Sequence, residues 1–130
     1  MLNIGEDSEL ILLEVLHSAD GEPLTLAEHY LPLSRFNGIH EQFIKTSSIT
    51  ASLKAMGVED YVRGTTRLYS RLPTSREAKN LRQSRSQPIV SVSYTNHDLS
   101  GTPVEFCISR FNAERVQFVF DPGSKQNTIK

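Results

Sequence analysis

The sequence predicts an α+β domain, a largely antiparallel β-sheet with helices packed on it, and three observations lead there. Two apolar, β-like runs near the N-terminus meet across an Asp-Gly turn. Two short segments with a helical period follow, and three further strand-like runs joined by short turns close the chain. Hairpins in place of alternating βαβ units imply antiparallel pairing, and helices with one apolar stripe need a sheet face to cover.

Glu9 to Ser18 is too rich in apolar residues to be half exposed and reads as the first strand. It meets a second, Pro23 to Leu31, across Ala19-Asp20-Gly21-Glu22. Such a turn needs positive φ, which Gly supplies without steric cost. After Pro32 the period becomes helical, with Ile39 and Phe43, then Ile49, Leu53 and Met56 at offsets of four and three. Ser48 suits the N-cap of the second helix and Gly57 its C-terminal cap. Tyr61 to Leu72, with Val62, Thr65, Thr66 and Tyr69, reads as a long strand closing at Pro73, its alternation placing Thr65, Arg67, Tyr69 and Arg71 on one face. Thr74 and Glu77 form a capping box for a helix from Thr74 to Ser84, which has Ala78 and Leu81 as a narrow apolar stripe and is otherwise basic. Pro88 to Asn96, a loop from His97 to Gly101, Thr102 to Phe111 and Arg115 to Phe120 then give three strands. Asp121 to Lys130 has the composition of a flexible tail.

A chain of 130 residues buries roughly two-thirds of the surface its unfolded form exposes, enough for one core, so a single domain over 1–130 is expected. The lone Cys107 forms no internal disulfide, and no apolar run approaches the ~18 residues of a membrane span; no membrane contact and a cytoplasmic location are the expectation. The formal net charge of -1, from 14 Lys and Arg against 15 Asp and Glu, excludes an indiscriminate nucleic-acid binder. That average conceals a segregation. Glu6, Asp7, Glu9, Glu14, Asp20, Glu22 and Glu28 all precede the first basic residue, Arg35, whereas seven basic residues lie from Arg63 to Arg85 against Glu77 alone. The two segments are either mutually attracting faces or an anion-binding region beside its counterweight.

The run from Thr102 to Phe111 carries the most chemistry. Val104, Phe106 and Ile108 share one face, and Glu105, Cys107, Ser109 and Phe111 the other, which either floors a cavity or meets solvent. Glu105 has the acceptors for ligand hydroxyl or amine groups and Phe111 an apolar wall. Arg67 and Arg71, with Tyr69 between them, either converge on a phosphate, phosphonate or carboxylate, or pair with nearby acids. His17, His29, His40 and His97 lack the spacing of a metal site, and no Gly-rich phosphate loop or nucleophile elbow is present. Neither a cofactor, nor a metal, nor a catalytic residue is expected, and mid-strand Cys107 reads as a small core thiol.

Four stretches together resemble a known family: Ser18-Ala19-Asp20-Gly21-Glu22-Pro23, Ala27-Glu28-His29-Tyr30-Leu31-Pro32, Pro88-Ile89-Val90 and Gly101-Thr102-Pro103-Val104-Glu105-Phe106-Cys107-Ile108-Ser109. In this order and spacing, over about residues 8 to 120, they resemble the UTRA effector-binding domain of GntR-type transcription regulators of the HutC subfamily. Thr66-Arg67-Leu68-Tyr69-Ser70-Arg71 and Tyr94-Thr95-Asn96-His97 look closest to the phosphonate-utilisation branch. The resemblance implies a chorismate-lyase-like fold, a homodimer, a small anionic effector such as a phosphonate or phosphate ester, and DNA contact only through an N-terminal winged helix-turn-helix outside this chain. It implies ligand-binding roles for Glu105, at the glutamate of a Pro-Val-Glu-Tyr motif, and for Ser48, at the serine of a helix-opening motif. Two positions depart from the family: Val15 and His17 stand where an Arg-x-Arg pair is common, and Phe111 replaces a frequent tyrosine. The expected ligand-binding set is therefore Ser48, Arg67, Tyr69, Arg71, Glu105 and Ser109, with His17 and Phe111 at its edges. A chorismate-lyase-like enzyme and a dimerisation module with a vestigial pocket are the two alternatives.

Overall fold

The computed structural model describes residues 9–122 and 128–129. Strand β1 (Leu10–Ala19) turns into β2 (Glu22–Pro32) through Asp20 and Gly21, at φ 53° and 79°. Both central residues of the turn thus have positive φ, matching the right-handed twist of the flanking strands. Helices α1 (Leu33–Phe36), α2 (Ile39–Thr46) and α3 (Ile49–Ala55) follow, then β3 (Tyr61–Arg71), α4 (Ser75–Leu81), β4 (Ile89–Asp98), β5 (Pro103–Asn112), β6 (Phe118–Val119) and β7 (Thr128–Ile129). The five long strands form one antiparallel sheet in the order β1-β2-β5-β4-β3. This is the α+β architecture expected. A separate ribbon pairs Phe118 with Ile129 and Val119 with Thr128. Part of the segment expected as a tail therefore pairs as β7; residues 123–127 and 130 lie outside those described.

The chain divides into two compact units, each assembled from separate stretches of sequence. The first takes the segment ending at Glu14, Glu28–Arg67 and Ser93–Ile108. Its core joins Leu13, Leu31, Phe36, Ile39, Leu53, Val58 and Val104, with Ile11, Phe43, Ile49, Met56 and Tyr61 packed at the margin. Helix α3 begins where the Ser48 side chain accepts from the Ala51 amide at 3.1 Å. It ends as Gly57, at φ 96°, lets its own amide reach Lys54 O at 3.1 Å and the Val58 amide reach Leu53 O at 2.9 Å. The two bonds and the Val58–Leu53 core contact together make a Schellman stop, which only a residue at ease with positive φ permits.

The second unit takes Val15–Ala27, Leu68–Val92 and the chain from Ser109 onward. Leu26, Leu81 and Ile89 form its core, and Phe111 meets Phe118 edge to face at 5.4 Å. The capping box at Thr74 and Glu77 is complete. The helix stops at Leu81, before the expected Ser84, because Arg82 turns left-handed at φ 50°. The Arg115 guanidinium takes up three carbonyls there: Nη1 donates to Leu81 O and Pro23 O at 3.0 Å, and Nη2 to Arg82 O at 3.2 Å. Committing Arg115 to this cap also shortens the strand expected from Arg115 to Phe120 to Phe118–Val119.

Candidate functional site

In the first unit, three neighbouring strands place polar side chains in one row, buried except for the half-buried Tyr94. β2 contributes His29, β5 Glu105 and Cys107, and β4 Tyr94 and Asn96. The Glu105 carboxylate is only 2% exposed and is held at both oxygens: His29 Nδ1 lies 3.0 Å from Oε2, and Asn96 Nδ2 donates to Oε1 at 2.7 Å. Because a carboxylate only accepts, these contacts assign a proton to His29 Nδ1 and turn the Asn96 amide nitrogen toward Glu105. Asn96 Oδ1 is buried and accepts from none of the described residues. Burial opposes a charge on His29, but the Cys107 and Glu105 side chains outweigh it and push its pKa up to about 10. His29 and Glu105 accordingly form a buried ion pair at neutral pH. Tyr94 is raised well above the usual tyrosine range by burial and by Cys107, and Arg63 lies over its ring at 3.7 Å from the centroid.

In the second unit the dominant group is Glu77, 5% exposed. Arg71 binds it in a fork, Nη1 to Oε1 at 2.7 Å and Nη2 to Oε2 at 2.8 Å, and Arg110 Nε lies 2.7 Å from Oε2. The amide of Thr74 adds a fourth contact at 2.9 Å. Hydrogen bonds from Arg71 overcome the opposing effect of burial, and with the Thr74 amide and Arg110 they hold the carboxyl at about 2. Tyr69, on the same strand as Arg71, is lowered below the ordinary tyrosine value by the neighbouring Ser91 and Arg71 side chains, with a further contribution from Arg110. Two guanidiniums meet this one carboxylate, beside an exposed phenol.

The residues expected from sequence divide between these surroundings. Ser48, Arg67 and Glu105 belong to the first unit, and His17, Tyr69, Arg71, Ser109 and Phe111 to the second. Ser48 is engaged as the α3 cap and Arg67 is exposed, whereas Glu105 is buried in the polar row. Arg71 adopts the paired alternative, its partner being the only acid within the basic stretch. In the second unit Tyr69, Arg71 and Arg110 gather around Glu77 and Ser91. Ser109 and Phe111 flank Arg110 in sequence, so strand alternation turns them the other way, and both are buried. The polar face of β5 is therefore interior, which removes its solvent-facing alternative. Val104 and Glu105, adjacent on β5, are both buried, Val104 in the apolar core and Glu105 in the polar row. Sequence reasoning missed Asn96, Tyr94 and Arg110, and considered His29 only as a metal ligand. The signal for His29 was its shared register with Ala27 and Leu31, both buried on β2. Two surface grooves in the first unit, of about 430 and 290 Å³, are lined by Leu12, His40, Phe43 and Ile44 and by Arg35, Asp60 and Asp98, not by the expected set.

A five-stranded antiparallel sheet with helices on it, carrying a buried polar row and a guanidinium cluster, defines a domain of α+β class. The sequence matches the UTRA domain family over residues 1–117, and the chain belongs to that family. It is 34% identical over 116 residues to an HTH-type transcriptional regulator of Rhizobium meliloti, covering 89% of this chain and 48% of that protein. It is 23% identical over 129 residues to the HTH-type transcriptional repressor PhnF of Mycolicibacterium smegmatis, covering 99% and 52%. The chain thus spans about half the length of these two relatives. The ligand-binding domain of a GntR-family regulator from Bordetella bronchiseptica superposes with a TM-score of 0.81 at 14% identity, over 92% of this chain and 75% of that one, a likeness of fold. Among the described residues no helix is long and apolar enough to cross a membrane.

Proposed function

We propose that this chain is the effector-sensing domain of a transcriptional regulator and that its effector is a small anionic metabolite, a phosphonate or phosphate ester. The observation that carries the anionic class is the cluster around Glu77, where the Arg71 guanidinium stays one-third exposed with Tyr69 exposed beside it. A bidentate guanidinium that remains one-third exposed offers further N–H donors to a phosphoryl oxygen. The resemblance of Thr66-Arg67-Leu68-Tyr69-Ser70-Arg71 and Tyr94-Thr95-Asn96-His97 to the phosphonate-utilisation branch supports the same class. Ser48, Arg67 and Glu105 in the first unit, and His17, Ser109 and Phe111 in the second, stay as further candidate contacts, proposed for each unit by itself.

Binding would act by population shift. An effector that binds one arrangement of a homodimeric regulator more tightly than the other changes how often its DNA-binding halves fit a two-fold operator. DNA contact belongs to a helix-turn-helix half of the kind for which the relatives are named. The role is recognition and not turnover. The test is calorimetric titration of methylphosphonate, glycerol 3-phosphate and glucosamine 6-phosphate into the wild type, Arg71→Ala and Glu105→Gln. Loss of one charged hydrogen bond predicts at least a ten-fold weaker Kd in Arg71→Ala, while Arg110 keeps Glu77 paired. Unchanged affinity in both variants overturns the site, and turnover of chorismate by the wild type overturns the non-enzymatic role.

A further inference from the structure

Helix α4, in the second unit, turns Glu77, Ala78 and Leu81 inward and leaves Arg76 and Lys79, one turn apart, exposed on its other side. Past its end, Arg82 and Arg85 are exposed as well. Glu77, the only acid of the basic stretch, is buried and committed to Arg71 and Arg110. Lys79, Arg82 and Arg85 make no ion pair or side-chain hydrogen bond among the described residues, so the acids of the opening third do not neutralise them. The carbonyls at the end of α4, whose partial negative charge would oppose an anion, are covered by the Arg115 guanidinium. Glu114 is engaged by Gln87 Nε2 at 2.9 Å. Asp20 and Glu22 border this face, beside the Pro23 carbonyl that Arg115 also holds. Cations spread along an exposed helix and turn suit a partner whose charge repeats, because residues three apart on a helix lie about 5–6 Å from one another and DNA presents a phosphate every ~3.4 Å along each strand. A small effector reaches only one of them.

We infer that Lys79, Arg82 and Arg85 form a docking surface for the phosphate backbone of duplex DNA, independent of its sequence. The choice of DNA over other polyanions rests on the regulator role above, and the sequence-reading contact stays with the helix-turn-helix half. A net charge of -1 keeps this chain from holding DNA unaided at physiological salt. Beside a half that already holds the duplex, the effective phosphate concentration is about millimolar or higher, and three added contacts then strengthen the complex.

The experiment measures, by fluorescence anisotropy, binding of the whole chain to two short duplexes of unrelated sequence. Three phosphate contacts predict that raising NaCl from about 20 to about 100 mM weakens binding about eighty-fold, alike for both duplexes. Lys79→Gln with Arg85→Gln leaves one contact, so binding at low salt should weaken and the salt factor fall to about four. Arg82 is kept, because it holds the left-handed cap at φ 50°. Lys45→Gln with Lys54→Gln, exposed cations of the first unit, removes the same charge and should keep the eighty-fold factor. No duplex binding at low salt, a marked preference for one duplex, or equal loss in both double variants overturns the inference. Tighter binding of polyglutamate than of either duplex assigns the face to an acidic protein, and salt-reversible self-association lost in the Lys79 and Arg85 variant assigns it to a second copy; either overturns DNA as the occupant. The phosphonate titration above runs in parallel on the same samples. Phosphonate binding without duplex binding refutes the docking surface alone, and duplex binding without phosphonate binding supports it while rejecting the anionic effector.

Discussion

Replacing Glu77 by Gln tests how far one carboxylate anchors the second unit. Glu77 is 5% exposed and meets two guanidiniums and the Thr74 amide. A carboxyl that titrates at 4.5 in the unfolded chain and about 2 in the folded one contributes about 3 kcal/mol at neutral pH. An independent figure agrees: removing one partner of a buried ion pair costs about 3–5 kcal/mol. Gln keeps the shape and one acceptor, so Glu77→Gln should lose about 3 kcal/mol at pH 7. The sign with pH follows from the depressed value. Stability from Glu77 is present above pH 4.5 and is lost as the pH falls toward 2, because the protonated acid then resembles Gln. Urea unfolding followed by circular dichroism at pH 7, 5 and 3 measures the gap between wild type and variant, with exposed Glu41→Gln as the control. The gap should shrink to less than half by pH 3. A gap that is the same at pH 7 and pH 3, or absent at both, refutes the assignment of this charge as the anchor.

His29 behaves in the opposite sense. Its pKa is raised from 6.5 to about 10, so its contribution is complete below pH 6.5 and fades as the pH climbs toward 10. An NMR titration of the ring should find its midpoint above pH 8, and a midpoint near 6.5 would show that the Glu105 pair does not form as described. Ser48→Ala should cost about 1 kcal/mol by loss of the α3 cap and Ser48→Gly only a few tenths, measured by thermal unfolding; equal costs would point to a role other than capping. Arg115→Ala should destabilise by about 1–3 kcal/mol by releasing three carbonyls, and Arg115→Lys should not restore it, since one ammonium cannot span them.

Most of the architecture was legible because local chemistry dictates it. The Asp20-Gly21 turn, the Ser48 and Thr74 caps, the Gly57 stop and the order of the strands all depend on residues within a few positions of one another. Element ends were less legible wherever a distant group intervened. Helix α4 stops three residues early because Arg115, thirty-odd positions away, caps its carbonyls, and the same commitment shortens β6. The candidate site was legible in its residue types and not in its partnerships. Arg71, Tyr69, Glu105 and Ser109 were all named from the sequence, yet Arg71 was a possible ligand contact or one half of an ion pair until Glu77 was seen to hold it.

By itself the sequence determined the class, a hairpin-rich α+β domain, and the family resemblance that the match over residues 1–117 sustains. It also determined the segregation of charge, with Glu77 the single acid in a basic stretch, and the two-sided chemistry of β5. Only the tertiary structure decided that the polar side of β5 faces inward, that His29 from β2 and Asn96 from β4 close on Glu105, and that Arg110 joins Arg71 on Glu77. The physical reason is separation along the chain. His29 and Glu105 stand 76 positions apart, and their contact comes from strand order and register, β2 beside β5 and β5 beside β4, which are set by the cooperative packing of the sheet and are not encoded at either residue.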